Sequence, residues 1–186
     1  MLKDVLTVVD SAGLEPTVVA PGSVAVDVPV VVDERGLTEA VNAVITDSTG
    51  NVAVVMADLA LLTAEALIRL LTTEGEVVIA PGNGVGTNAV VVRHDKFRVA
   101  YHGTLFQTNR RKAAAIGADL SVVDSFVLGT DIDEPTDLIE VLVHNEGTAR
   151  ARLRSAGFSV ETDDTGGVTL ERDGRRFEAG KQMVSR

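Results

Sequence analysis

The chain has 186 residues, 45% of them hydrophobic, and a mean hydropathy of +0.21, enough for one well-buried domain of ordinary size. Its formal charge of −10 and isoelectric point near 4.7 exclude the basic stripe that nucleic-acid binding requires. Cysteine is absent, which rules out disulfides, thiolate metal sites and a cysteine nucleophile.

Met1 opens directly on a helical pattern, with Leu2, Val5, Leu6 and Val9 on one face and Gly13 as the stop. Asp4 and Asp10 within it argue against a secretory signal, and no apolar run approaches the roughly 20 residues of a membrane span. The expectation is a cytoplasmic protein that neither crosses a membrane nor binds nucleic acid. Thr17 to Ala20 reads as a strand broken at Pro21 and Gly22, and Val28 to Val32 as a short extended piece. Leu37 to Ile45 reads as a helix with Leu37, Ala40, Val41 and Val44 on one face. Val52 to Met56 is a β-branched run of the kind buried on both faces. Thr63 caps a helix through Leu71, with Glu65 in its first turn.

Val77 to Ala80 and Ala89 to Val92 are two further buried strands, separated by a glycine-rich loop. A helix from about Leu105 to Ile116 stops at Gly117. Ser121 to Phe126 reads as a strand, and Glu134 to His144 as a helix with Pro135 at its first position. Strands separated by helices of these lengths predict an α/β fold: a right-handed, mostly parallel sheet with helices on both faces. Gly147 marks a boundary, giving one domain over residues 1–146 and a small C-terminal extension over 147–186. In that extension Thr148 to Ala156 reads as a basic helix, followed by a hairpin of Phe158 to Glu161 and Val168 to Arg172. Such a sheet ordinarily opens with a strand whose loop cradles phosphates. Nothing before the first helix supplies one, which leaves three explanations: a start codon placed too late, a truncated copy, or a fold that begins with a helix. If the strand is lost, its neighbours keep unpaired backbone, and low stability is expected.

Three acidic residues carry the chemistry. Asp58 stands just past the carboxyl end of the strand at Val52 to Met56, where open α/β sheets bind ligands. Asp131 and Asp133 alternate along an extended segment, so both carboxylates point the same way and can share a divalent ion. Oxygen ligands from two distant segments suit a hard cation that carries phosphates, and therefore phosphoryl or nucleotidyl transfer. Lysine is confined to positions 3, 96, 112 and 181, and an acidic, lysine-poor surface is what a salt-loving cytoplasm selects.

Four ordered motifs resemble those of the 2-phospho-L-lactate guanylyltransferase family: Met56-Ala-Asp-Leu-Ala-Leu-Leu-Thr63, Val78-Ile-Ala-Pro-Gly82 with Gly86-Thr-Asn88, Val123-Asp-Ser-Phe126, and Asp131-Ile-Asp-Glu-Pro-Thr-Asp-Leu138. The resemblance spans about Met1 to Gly147. It implies a Rossmann-like nucleotidyltransferase sheet, N-terminally incomplete here, and a place in the biosynthesis of the archaeal deazaflavin coenzyme F-420. The substrates it implies are GTP and a small phosphorylated hydroxy acid, with Mg2+ as the ion; bacterial relatives accept phosphoenolpyruvate. Family members are homodimers, so a homodimer is expected.

By the same resemblance, Asp58, Asp131 and Asp133 would bind the ion. Gly82, Gly84, Gly86, Thr87 and Asn88 would hold the phosphorylated acid, with Val85 departing from the family's all-glycine loop. Gly103 and Thr104 would wrap the acceptor, and Leu37, Glu39 and Asn42 would face the nucleotide base and ribose. An ordinary amphipathic helix explains those last letters equally well. Two other readings stay open: a related nucleotidyltransferase acting on phosphoenolpyruvate or 3-phosphoglycerate, and a non-catalytic remnant.

Overall fold

The computed structural model describes residues 1–84, 86–101, 105–162 and 166–177. The central sheet has four strands, β3 (Val52–Val55), β4 (Val77–Pro81), β5 (Thr87–Val92) and β6 (Leu120–Val122), in the order β3-β5-β4-β6. β4 and β6 are parallel, whereas β5 runs antiparallel to both β3 and β4. Three strands therefore share one direction and β5 alone is reversed, because only the short glycine-rich loop joins it to β4. Two earlier strands, β1 (Val18–Ala20) and β2 (Val30–Val32), pair in parallel as a sheet of their own. β1 and β3 each have one strand partner among the described residues.

The continuous apolar runs of β4 and β5 follow from burial on both faces. Alternation along each strand sorts them into two cores. Val78, Ala80, Ala89 and Val91 face one way, toward Val5 of α1 (Leu2–Ser11) and toward Leu67 and Leu70 of α3 (Ala64–Thr72). Val77, Ile79, Val90 and Val92 face the other way, toward Val41 and Ile45 of α2 (Leu37–Asp47) and Ala113 of α4 (Leu105–Ala115). Helices thus cover both faces, as the spacing predicts. Thr63 caps α3 through its hydroxyl, which accepts from the Ala66 N–H at 3.2 Å.

Three segments depart from the sequence expectation. The strand expected over Ser121 to Phe126 ends at Val122, and α5 (Phe126–Gly129) follows it. Ser125 takes an extended conformation at the start of that turn, which swings the chain out of the sheet and toward the acidic pair. The helix expected from Glu134 begins as a 3-10 turn at Pro135–Asp137 before α6 (Leu138–His144). The C-terminal hairpin of β7 (Phe158–Thr162) and β8 (Val168–Arg172) gains a third strand, β9 (Arg175–Phe177), too short and polar for alternation to reveal.

Between these parts lies α7 (Thr148–Ser155). It packs on α1 and α6, and Asp4 of α1 accepts the Ala149 N–H at 3.2 Å, satisfying a donor that the helix start leaves open. β7 and β8 pack against α6, and β8 also meets the 3-10 turn.

Candidate metal and phosphate site

Asp58 is fixed by the turn that it opens. Met56 extends the ladder with an N–H bond to the Asn88 carbonyl at 3.0 Å, and the chain then turns, the Ala60 N–H bonding back to the Asp58 carbonyl at 2.8 Å. Leu59, Ala60, Leu61 and Leu62 are all buried, so the turn is anchored in the core while the Asp58 carboxyl stays half-buried at the sheet's rim. Its Oδ1 is buried and has no hydrogen-bond partner among the described residues. Burial raises the Asp58 pKa above the ordinary carboxylate value, its own backbone N–H partly opposes this, and the charges of Asp131 and Asp133 push it further up.

The acidic pair arrives by a separate route. Thr130, buried at the end of α5, donates its hydroxyl to the Phe126 carbonyl at 2.9 Å and accepts from Asn83 Nδ2 at 3.3 Å. Asn83 also donates its N–H to the Gly129 carbonyl at 2.8 Å, which ties the glycine-rich loop to the segment bearing Asp131. Beyond the pair, Asp137 Oδ2 accepts the N–H groups of Asp133 at 3.0 Å and Glu134 at 2.7 Å, forming a capping box with Glu134. Asp137 therefore does more than favour a helix dipole: it sets the backbone of Asp133. The Asp133 pKa is also raised, first by burial and then by Asp131, whose carboxyl lies within hydrogen-bonding reach, and by Asp137.

A cavity of about 350 Å3 opens here, lined by Asn83 and Gly84 on one side and Thr130, Asp131 and Asp133 on the other. Among the described residues, five that line it are carboxylates, the others being Glu134, Asp137 and Glu140, and none is lysine or arginine. Asp58 lies outside that lining, although its carboxyl feels both members of the pair. No group of three or more Asp, Glu or His side chains among the described residues closes around an ion position on its own. A phosphate-bearing ligand would have to complete such a shell. Mg2+ is bound in that way, through one or two carboxylates plus phosphate oxygens and water. Oxygen donors and the orphaned Asp58 Oδ1 fit a hard cation.

The remaining candidates divide. Gly82 closes its loop with an N–H bond to the Gly86 carbonyl at 3.2 Å and lies directly over Asn88. A Cβ at Gly82 would stand 2.5 Å from Asn88 Oδ1, and that side chain is locked by Nδ2 donating to the Leu128 carbonyl at 3.0 Å. Gly82→Ala is therefore expected to destabilise by ~1–3 kcal/mol, visible as a melting temperature lower by several degrees. Thr87 and Asn88 are 3% and 4% exposed within β5, so they sit in the core layer rather than at the cavity mouth. Thr87 accepts from Asn109 Nδ2 at 3.1 Å.

On α2, Leu37 and Glu39 are exposed, but Asn42 is committed within the protein: its amide bonds both the N–H and the carbonyl of Val99, each at 2.9 Å. Gly103 and Thr104 lie outside the described residues. Sequence reasoning missed Asn109, which is fully buried and clamps Ala100 the way Asn42 clamps Val99. Its position in the middle of a polar helix gives no signal of this.

Solved structures share this architecture. A protein from Desulfovibrio desulfuricans G20, described as a nucleotide-diphospho-sugar transferase, aligns with a TM-score of 0.67 over 83% of this chain and 79% of its own, at 16% identity. A hypothetical transferase from Thermus thermophilus aligns with a TM-score of 0.52 over 72% of this chain and 84% of its own, at 22% identity. At those identities the likeness concerns the fold alone. The family model described as guanylyl transferase CofC like matches residues 1–173, and the chain belongs to that family. Relatives named 2-phospho-L-lactate guanylyltransferase are 53% identical in Natronomonas pharaonis and 50% identical in both Halomicrobium mukohataei and Haloferax volcanii. They align over 94%, 92% and 98% of this chain, which covers 85%, 84% and 84% of their lengths.

Proposed function

We propose that the protein transfers GMP from GTP to the phosphate of 2-phospho-L-lactate, releasing pyrophosphate, in coenzyme F-420 biosynthesis. The observation that carries this reading is the identity of about half of all residues with relatives of that name, over nearly the whole chain. The acceptor phosphate is already a nucleophile, so neither a general base nor a covalent intermediate is needed. Catalysis then reduces to in-line positioning and charge stabilisation.

Asp58, Asp131 and Asp133 would hold Mg2+. When bound, the ion offsets charge on the α-phosphate and the leaving pyrophosphate. Asp137 keeps the backbone of Asp133 in place, and the bond from Asn83 to Thr130 holds the glycine-rich loop beside the pair. Backbone N–H groups of that loop approach the acceptor's phosphate closely because glycine leaves no side chain in the way. Glu39, exposed on α2, would face the base and ribose. The test is incubation with GTP, Mg2+ and a panel of phospho-acids, read by pyrophosphate release. Turnover with 2-phospho-L-lactate supports the assignment, a preference for phosphoenolpyruvate or 3-phosphoglycerate redirects it, and no release with any acceptor contradicts it.

The reading extends to a cytoplasmic homodimer, testable by light scattering after gel filtration, working in concentrated salt. Support for the salt adaptation is the charge of −10 and the scarcity of lysine. Self-repulsion of that charge is relieved by screening. The melting temperature is therefore expected to climb steadily as KCl rises from ~0.1 M to ~1 M, where the screening length falls to about 3 Å. A flat profile in a melting series contradicts the salt-adapted reading.

A further inference from the structure

The turn that presents Asp58 is held from behind by a residue far along the chain. Asn145 directly follows α6 and is 7% exposed. Its Nδ2 donates to the Ala60 carbonyl at 2.5 Å, two residues beyond Asp58, in the same turn that the Ala60 N–H closes onto the Asp58 carbonyl. Its Oδ1 accepts the Gly147 N–H at 2.6 Å, so one amide joins the Asp58 turn to the bend between α6 and α7. Arg150 adds a bond from Nη1 to the Asn145 carbonyl at 3.3 Å.

A plain helix cap does not account for this residue. Asparagine is favoured after a helix when the backbone turns left-handed, but Asn145 is extended, with φ −82° and ψ 137°. Its own N–H bonds the Val141 carbonyl as any residue's would. What requires an amide here is a pair of backbone groups, the acceptor carbonyl of the buried Ala60 and the donor N–H of Gly147 at the bend, that its two ends satisfy. The opposite end of the same helical segment carries Asp137, which holds the backbone of Asp133 and Glu134. One short strut therefore touches both acidic segments, at its start through Asp137 and at its end through Asn145.

We infer that Asn145 is a positioning residue for the cation site, fixing the Asp58 turn relative to the Asp131–Asp133 segment. The inference rests on the proposal that these three aspartates hold a divalent ion. Its test is Mn2+ titration by electron paramagnetic resonance with a non-hydrolysable GTP analogue present, alongside thermal melts. The set comprises the unsubstituted protein, Asn145→Ala, Asp58→Asn and Asp4→Ala. Asp4→Ala is the control because it loosens α7 at Ala149 without touching Ala60. Removing the Asn145 amide is expected to weaken Mn2+ binding about 10- to 100-fold, the range for residues that orient metal ligands, while Asp4→Ala leaves it within about twofold.

Asn145→Asp serves if the alanine variant fails to fold. It keeps the acceptor for Gly147 but loses the donor to Ala60, and the same weakening is expected. Unchanged Mn2+ affinity in the Asn145 variants, or an equal loss in Asp4→Ala, overturns the inference alone. Unchanged affinity in Asp58→Asn overturns the cation reading and the inference with it.

Discussion

Replacing Asp58 with asparagine is expected to cut GMP transfer at least about a thousandfold, the scale of losing several kcal/mol of charge stabilisation in the transition state. The same change is expected to make the protein more heat-stable at neutral pH. Both outcomes come from one feature, a half-buried carboxyl beside two other acids, with an oxygen unpartnered among the described residues. Its pKa is raised in the folded state, first by burial. The folded form therefore gains from protonated Asp58, a contribution fully present below the ordinary aspartate pKa of 3.8. That contribution is lost as pH rises through the folded-state value. At neutral pH the charged side chain is a net cost, which asparagine removes. The stabilising effect of Asp58→Asn should shrink as pH falls through the carboxylate range, and melts across that range check it. A variant that keeps substantial GMP transfer removes Asp58 from the site.

Chelation of divalent ions is expected to reduce pyrophosphate release to background, with activity returning when Mg2+ is added back. Among the described residues five carboxylates line the cavity and no lysine or arginine does, so a triphosphate and a phospho-acid would meet like charge on entering. Unit charges at 4 Å repel by ~4 kcal/mol at the effective dielectric of a protein surface, and several such pairs act at once. The acidic lining therefore suits phosphate chemistry only with cations between the two. Assay in EDTA followed by Mg2+ restoration measures this directly, and turnover that persists in EDTA contradicts it.

The strands under the site were legible because burial on both faces leaves an unmistakable mark. Val77 to Ala80 and Ala89 to Val92 are continuous apolar runs, and their alternating sides build the two cores. Thr63 was legible for a local reason too, since a cap acts three residues away. What stayed hidden is tertiary. The half-buried Asn42 and the buried Asn109 and Asn145 each use an amide to bind backbone, and for Asn42 and Asn145 the partner lies 57 and 85 positions away. Polar letters in short helices look the same whether they meet water or a distant carbonyl. Asp58, Asp131 and Asp133 are singled out in the sequence by strand-end position and alternation. The device that holds them, a helical segment gripping one acidic stretch at each end, has no periodicity to read.

The most direct measurement is diffraction from crystals grown with Mn2+ and a non-hydrolysable GTP analogue, with the anomalous signal of manganese recorded. A peak is expected within bonding distance of an Asp58 oxygen and of Asp131 or Asp133, with phosphate oxygens completing the shell. Manganese bound elsewhere, or nucleotide bound with Asp58 facing empty solvent, would contradict a cation shared by the three aspartates.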